Sequence, residues 1–324
     1  MMRQIVALDP STYQRHLIHG KDRIWIETNC YADVLIELLH ALGYEPIAAL
    51  PFTLAIDFEG DQWTFFKFPL ADLYDLYGLD VQELAIWKPL ITHVEEQVEL
   101  GRPVLVELDS FFLPDTAGSA YKLAHIKSTV AVVEIDVEQN HMGYFHAQGY
   151  YHLDGEDFLN VFRLNAEPDP AALPPYVEFV KRRQQGKLSP QQLLDGSIKL
   201  LKKQLILLPE QNPFQKFRPR FQQDLEWLMS EGLDVFHKYS FATLRQFGAC
   251  YELAHTYLQW LQQQGEIGLD EAIAGIHELS NGAKTYQFQL ARAMNRKKPL
   301  DLAPLDTMAQ HWERAMGTLR SRYL

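Results

Sequence analysis

The stretch from Ile24 to His40 reads IWIETNCYADVLIELLH, a short strand-like run followed by an apolar helix that begins near Cys30. Thr28 or Asn29 can cap this helix, because their side-chain oxygens accept hydrogen bonds from the first backbone N–H groups. The positive end of the helix dipole favours thiolate over thiol at Cys30. The stretch therefore predicts a nucleophilic cysteine or, with equal weight, a small buried hydrophobic side chain.

The composition sets the broad class of the protein. The chain has 324 residues, of which 47% are hydrophobic, enough for two domains. Its two cysteines, Cys30 and Cys250, form no disulfide framework and suit a reducing cytosol. We find no signal-peptide pattern and no apolar run close to the roughly 18 residues of a membrane span. We therefore expect a cytoplasmic protein that does not bind a membrane.

The net charge of −12 is unevenly distributed. Residues 1–170 carry 10 Lys and Arg against 27 Asp and Glu, a balance of −17, whereas residues 171–324 carry 20 against 15, a balance of +5. This asymmetry predicts two separately organised parts. The acidic half argues against nucleic acid as a partner, and the basic half could bind an acidic protein surface.

The hydrophobic pattern predicts an α+β domain over residues 1–168 and an all-helical domain over residues 169–324. The boundary is the proline-rich passage that begins near Glu167 and ends at Pro175. The first domain is predicted to contain helices over 70–77 and 89–100 and strands over 48–54, 63–68, 103–109, 128–136 and 142–146. The second has apolar residues at helical spacing, such as Phe247, Tyr251 and Leu258.

A nucleophilic Cys30 needs a base and a group that orients the base. His125 precedes the strongest predicted strand and is the candidate base, although a histidine there could also merely cap the strand end. His146, on the next strand, is the candidate orienting residue, with Asp154 and Asp157 as competitors for that role. An ordinary sheet histidine is the alternative interpretation of His146.

Three further residues are candidates for substrate binding, namely Asn29, Asp109 and Tyr121. Asp109 ends a predicted strand and could bind a substrate amine, although such residues more often cap turns. Asn29 could support an oxyanion hole formed by backbone N–H groups at the helix start. The acidic segment 57–63 lacks the alternating ligands of a calcium loop, and no histidines pair at i,i+4. We predict neither a metal nor a bound cofactor.

Several motifs together resemble those of a bacterial family of unknown function, DUF family 1839. They are TNCYAD at 28–33, DFEGDQWTFFKF at 57–68, LPDT at 113–116, YFH at 144–146, GEDF at 155–158 and RQFGA at 245–249. The resemblance runs nearly from end to end of the chain. It implies no activity, because the family has none assigned.

More distantly, the first half is similar to BtrH-like papain-fold aminoacyl transferases. The shared features are the cysteine at a helix start, the segment from Asp109 to Pro114, a histidine and then a valine-rich strand. This resemblance implies a papain-like domain in which Cys30 takes an aminoacyl group from an acyl carrier protein and passes it to an amine acceptor. The phosphopantetheine would be carried by that partner. In the family pattern the histidine begins the strand, where Ser128 stands here.

The sequence thus predicts a cysteine-dependent aminoacyltransferase with Cys30, His125 and His146 as catalytic residues. Its expected partners are an aminoacylated acyl carrier protein, docked on the basic helical half, and a small-molecule or peptide amine. A cysteine hydrolase of the same fold, a peptidase or amidase, is one alternative. A non-catalytic aminoacyl- or peptide-binding protein is the other, and Ser128 at the expected histidine position favours it.

Overall fold

The computed structural model describes residues 3–25, 29–165, 173–183 and 186–324. The chain divides into two compact units whose segments alternate along the sequence. One, the sheet unit, comprises Met1–Gly20, Asn29–Pro46 and Leu70–Lys187. The other, the helical unit, comprises Lys21–Thr28, Ile47–Pro69 and Leu188–Leu324.

The sheet unit is built around an antiparallel sheet, which in the described residues has seven strands in the order β2-β7-β3-β4-β5-β6, with β1 paired to β4. The strands are β1 Arg3–Gln4, β2 Leu79–Glu83, β3 Val104–Asp109, β4 Lys127–Asp136, β5 His141–His146, β6 Gly149–Asp154 and β7 Val177–Arg182. The helices of this unit are α1 Cys30–Ala41, α2 Leu70–Tyr77, α3 Leu90–Glu99 and α4 Gly155–Val161.

The sheet has two different faces, because successive side chains of a strand point to opposite sides. On the α3 face, Val106, Val130 and Tyr144 are buried in one apolar cluster with Val94 of α3 and Phe158 of α4. The α1 face carries the alternate residues of the same strands, together with the buried side of α1. The two faces therefore offer separate places for polar chemistry.

In its described residues the helical unit contains six α-helices, which are α5 Pro190–Ile206, α6 Pro213–Leu228, α7 Leu233–Ala242, α8 Leu244–Gln263, α9 Asp270–Arg296 and α10 Ala303–Tyr323. Its core is aromatic: the ring of Trp63 lies 5.0 Å from that of Phe214 and 4.6 Å from that of Phe247. Gly248 allows a close approach, since a Cβ there would lie 2.3 Å from the ring of Trp25. None of the helices in the described part of the chain combines the length and apolar composition needed to cross a bilayer.

The coarse prediction of a mixed α/β part with an antiparallel sheet, followed by a helical part, is confirmed. The predicted helices over 70–77 and 89–100 correspond to α2 and α3, and the strands over 103–109, 128–136 and 142–146 correspond to β3, β4 and β5. The predicted domain boundary falls at residues 168 and 169, which lie outside the described residues.

Two predicted strands are wrong. Residues 48–54 lie in a 3-10 helix, Pro46–Leu54, and residues 63–68 contribute only an isolated bridge between Phe58 and Trp63. Short apolar runs do not distinguish a buried strand from a buried helix, and Pro51 lacks the N–H that a strand ladder needs. Ile26, at the end of the strand-like run before Cys30, lies outside the described residues.

Candidate functional site

Cys30 is the first residue of α1 and is partly exposed. Oδ1 of Asn29 accepts hydrogen bonds from the backbone N–H groups of Tyr31, at 3.1 Å, and Ala32, at 3.4 Å, so Asn29 is the N-cap. The N–H of Cys30 is among those that a helix leaves without an intrahelical acceptor. The predicted start of this helix is therefore confirmed. The side-chain oxygen of Asn29 caps the helix by accepting hydrogen bonds from its first turn.

Asp109 and His125 form a hydrogen-bonded pair. Oδ2 of Asp109 lies 2.6 Å from Nδ1 of His125, so the proton on this imidazole is held at Nδ1 and Nε2 is left to accept one. The ring of His125 stacks on that of Phe111, with centroids 4.3 Å apart, while 67% of its side chain remains exposed. Oδ1 of Asp109 accepts from the N–H of Phe111 at 3.0 Å. The pair can therefore act as an oriented general base.

Asp109 belongs to the α1 face, because Val106 and Leu108 of β3 point into the apolar cluster of the α3 face. The start of α1 is tied to the same face by Tyr31, whose hydroxyl donates a 2.7 Å hydrogen bond to Oε2 of Glu178 on β7. Cys30, Asp109 and His125 are thus associated with one face of the sheet. Cys30 and His125 are not hydrogen-bonded to each other.

Glu178 is a site residue that the sequence analysis missed. This carboxylate is buried and accepts hydrogen bonds from two tyrosine hydroxyls, those of Tyr31 and, at 2.9 Å, Tyr176. Burial, with Glu178 close by, raises the pKa of both tyrosines, so both hydroxyls stay protonated as donors. Only the pairing of β7 with β3 brings Glu178 beside α1, and that pairing carries no local sequence signal.

His146 occupies a different environment from His125. Its Nδ1 lies 2.5 Å from Oδ2 of Asp115, and its Nε2 lies 2.6 Å from Oγ of Ser128. Tyr144 also donates to Asp115, at 2.5 Å. Val130 and Tyr144 place this group on the α3 face. His146 therefore contacts Ser128 and Asp115. The residue that orients His125 is Asp109, and not His146 as the sequence predicts.

Tyr121, the third candidate substrate-binding residue, hydrogen-bonds to Asp157 at the start of α4. Its hydroxyl donates to Oδ2 at 2.7 Å, and Lys122 pairs with the other oxygen of the same carboxylate. The hydrogen bond to Asp157 raises the pKa of Tyr121. Asp157, a competitor for the role of orienting a catalytic histidine, thus contacts Tyr121 and Lys122.

One group in the described ranges has the residue types and proximity to hold a metal ion. It consists of Glu134 on β4, His141 on β5 and His152 on β6, whose ligand atoms all lie within 4.8 Å of one another. Asp154, another predicted orienting residue, lies 2.5 Å from Nδ1 of His141. This group is distinct from the pair of Asp109 and His125, which lies at the opposite end of β4.

Comparison with known proteins gives the family. The family model described as the DUF1839 N-terminal domain matches residues 14–182, and the DUF1839 C-terminal domain model matches residues 190–321. No curated protein gives a significant match. The two matched segments span most of both units, which confirms the family indicated by the motifs. The chain belongs to the DUF1839 family, a family of unknown function.

Proposed function

We propose that the sheet unit catalyses acyl transfer through a thioester on Cys30. The observation that carries the proposal is the hydrogen bond between Asp109 and His125 on the face of the sheet that α1 covers. A cysteine at a helix start opposite a carboxylate-oriented histidine near a strand start is the arrangement of papain-like enzymes. It is consistent with the distant resemblance to BtrH-like aminoacyl transferases.

The reaction has two balanced halves. The Cys30 thiolate attacks the carbonyl carbon of an aminoacyl thioester, and the carrier's thiol leaves with a proton from the imidazolium of His125. An acceptor amine then attacks the Cys30 thioester, transfers its proton to Nε2 of His125, and releases the sulfur as thiolate. Exchange between thioesters is nearly isoenergetic, so positioning contributes most to the first half.

In this mechanism Asp109 orients His125, which differs from the sequence-based expectation that it binds a substrate ammonium. His125 has to come within hydrogen-bonding distance of Cys30 when substrate binds, since no hydrogen bond joins the two in the free protein. Catalytic hydrogen bonds are often long or poorly aligned before substrate arrives. The stacking of His125 on Phe111 leaves its ring largely exposed, which is compatible with such a rearrangement.

The proposed acyl donor is an aminoacylated acyl carrier protein, and the acceptor is an amine of a small molecule or peptide. Carrier proteins are typically acidic, and the helical unit exposes basic side chains that could dock one. They include Lys199 and Lys202 on α5 and Arg296 at the end of α9. Salt should weaken docking of this kind.

The test is to incubate the protein with carrier proteins bearing different aminoacyl thioesters and to look for an acyl adduct by peptide mass spectrometry. We expect a hydroxylamine-labile adduct on the peptide that contains Cys30 and none in the Cys30→Ala variant. Cys250→Ala is the matched control, because Cys250 is fully buried in the helical unit and should be dispensable for the adduct. Adduct formation that persists in Cys30→Ala would refute the proposal.

The fate of the adduct separates the alternatives. Transfer to an added amine supports the transferase, whereas release of free amino acid without an acceptor supports a cysteine hydrolase. Binding of an aminoacyl compound with equal affinity in wild type and Cys30→Ala, without any adduct, would support a non-catalytic binding protein.

A second candidate nucleophile is Ser128, because its contacts reproduce the order of a serine triad. Its Oγ lies against Nε2 of His146, and Asp115 contacts Nδ1 of the same ring. Ser128 is half-buried, whereas the side chains of His146 and Asp115 are almost completely buried. A fluorophosphonate probe tests this site: labelling that is lost in Ser128→Ala but retained in Cys30→Ala supports a serine hydrolase, and absence of labelling argues against it.

A further inference from the structure

A cluster of two histidines and a glutamate lies on the α1 face of β4, β5 and β6. In the strand register Glu134 is opposite Gly143, and Gly143 is opposite His152, so the two side chains flank the middle strand. His141 precedes Gly143 by two residues and therefore points to the same face. The neighbouring residues Met142 and Leu153 point into the apolar cluster of the α3 face, which confirms the orientation.

The distances within the cluster suit a small divalent cation. Nε2 of His141 lies 3.3 Å from Oε1 of Glu134, and the rings of His141 and His152 have centroids 4.7 Å apart. Zinc bonds of 2.0–2.2 Å in tetrahedral geometry place the ligand atoms about 3.3–3.6 Å from one another. The ligand atoms of His141 and Glu134 thus already have the required separation, and that of His152 lies within 4.8 Å of both.

The contacts of His141 leave one ring nitrogen at the centre of the cluster. Oδ1 of Asp154 lies 2.5 Å from Nδ1 of the ring, whereas Nε2 lies 3.3 Å from Oε1 of Glu134. A metal ion between these atoms would contact Glu134, His141 and His152 together. Glu134 is buried, so a cation would also offset the cost of burying its carboxylate charge.

Surrounding groups orient two of the three ligands, His141 and Glu134. A carboxylate on the far nitrogen of a metal-binding histidine is the usual outer-shell partner, and Asp154 supplies it to His141. Oε2 of Glu134 accepts hydrogen bonds from Tyr150 at 2.8 Å and from Gln4 at 2.9 Å, which leaves Oε1 directed toward His141. Hydrogen bonds from outside the cluster therefore hold Glu134 and His141 in place before a metal ion binds.

Gly143 is necessary for this arrangement. A Cβ at this position would lie 2.0 Å from the hydroxyl oxygen of Tyr150 and 3.0 Å from Cβ of Glu134. Any larger residue would separate Tyr150 from Glu134. Glycine is unfavourable within a strand. Its presence between Glu134 and His152 is explained by the close approach of the Tyr150 side chain, for which any Cβ would leave no room.

We propose that Glu134, His141 and His152 form a binding site for a divalent first-row transition metal ion. Two imidazoles and one carboxylate are a ligand set found for zinc and for iron(II), with at least one coordination position open to water or substrate. The sequence predicts no metal, because the three ligands lie on three different strands and form no local motif. The site does not depend on the chemistry proposed for Cys30.

The test is titration of the metal-free full-length protein with Zn²⁺ against a chromophoric chelator, with Co²⁺ absorption as a second readout. We expect one tightly bound Zn²⁺ and a visible Co²⁺ spectrum with nitrogen and oxygen ligands. His152→Asn should weaken Zn²⁺ binding at least 100-fold. Asp154→Asn, which removes only the outer-shell carboxylate, should weaken it about 10–100-fold. Glu134→Gln is a less certain variant to fold, because Glu134 is buried, and His152→Asn keeps the test decisive.

The matched control is His277→Asn. His277 and His255 form another histidine pair, with ring centroids 4.8 Å apart, and the control variant should bind Zn²⁺ like the wild type. Cys30→Ala should also bind Zn²⁺ normally, which excludes the thiol as a ligand. The proposal is overturned if the protein shows no saturable Zn²⁺ binding, or if His152→Asn binds Zn²⁺ as tightly as the wild type.

Discussion

The hydroxyl of Tyr31 and Oε2 of Glu178 are 2.7 Å apart, and this hydrogen bond joins the first turn of α1 to β7. Tyr31 directly follows Cys30, so the residue next to the candidate nucleophile is fixed to the sheet. The carboxylate of Glu178 is buried and has a second donor in Tyr176. The position of Cys30 is thus determined by the sheet as well as by the cap that Asn29 provides.

Loss of the Tyr31 hydroxyl should destabilise the protein. Tyr31→Phe leaves a buried carboxylate oxygen without its donor, and we expect the free energy of unfolding to fall by about 1–3 kcal/mol. Urea denaturation measures this change. Tyr176→Phe is the control: this residue is 41% exposed, so water can replace its hydroxyl, and the loss of stability should stay below about 0.5 kcal/mol. Equal losses in the two variants would contradict this account.

Removing the charge of Asp109 should slow acylation of Cys30. Asp109→Asn retains an oxygen for the N–H of Phe111 but no longer holds the proton of His125 at Nδ1. We expect the single-turnover rate with an aminoacyl thioester to fall on the order of 10²–10⁴-fold. Asp80→Asn, which changes a partly exposed carboxylate paired with Arg183, should leave the rate unchanged. A rate in Asp109→Asn within twofold of wild type would exclude His125 as the base oriented by Asp109.

The buried face of α1 should be highly sensitive to loss of charge at Glu37. This carboxylate is fully buried and accepts hydrogen bonds from the Tyr13 hydroxyl and the His16 N–H, and it also contacts Nδ1 of His19. In Glu37→Gln an amide NH₂ would face these donors, so we expect a loss of about 3–5 kcal/mol in urea denaturation. The exposed Glu226→Gln should change stability by no more than about 0.5 kcal/mol.

Stability should fall in mild acid because of His255. Burial, and to a lesser extent the nearby His277, lowers the pKa of His255 to about 4. The unfolded chain takes up a proton near its ordinary pKa of about 6.5, whereas the native state stays neutral until about 4. The contribution of His255 is therefore present above about pH 6.5 and is lost progressively as the pH falls toward 4, by at most about 1.4 kcal/mol per pH unit.

Urea denaturation between pH 7 and 4.5 tests this pH dependence. His255→Asn should reduce the slope of unfolding free energy against pH, while His237→Asn, which changes an exposed histidine, should not. Identical slopes in wild type and His255→Asn would show that His255 does not contribute.

Local patterns predicted the elements that have strong local signals. The β-branched run of β4 and the cap at Asn29 specify their own structure, and both are present. The run at 48–54 was misassigned because its apolar character reflects burial, which helices and strands share.

The sequence predicts the individual residues of the candidate site but not which of them contact one another. Asp109, His125 and His146 were each selected from the sequence, yet their partners depend on register: Asp109 contacts His125, and His146 contacts Ser128 and Asp115. A one-residue shift of a strand moves every side chain to the opposite face, so no local pattern could assign these pairs.

The contact of Tyr150 with Glu134 across Gly143 has a consequence for recognising related chains. Because the contact requires the glycine, the three-stranded cluster can be recognised in a sequence by a fixed spacing. The pattern is a glutamate, six residues, a histidine, one residue, a glycine, eight residues and a second histidine. A chain that keeps the two histidines but replaces the glycine would have to rebuild the cluster. Substitution at the glycine should therefore be accompanied by change at the tyrosine or the glutamate, a pattern that homologous sequences would record.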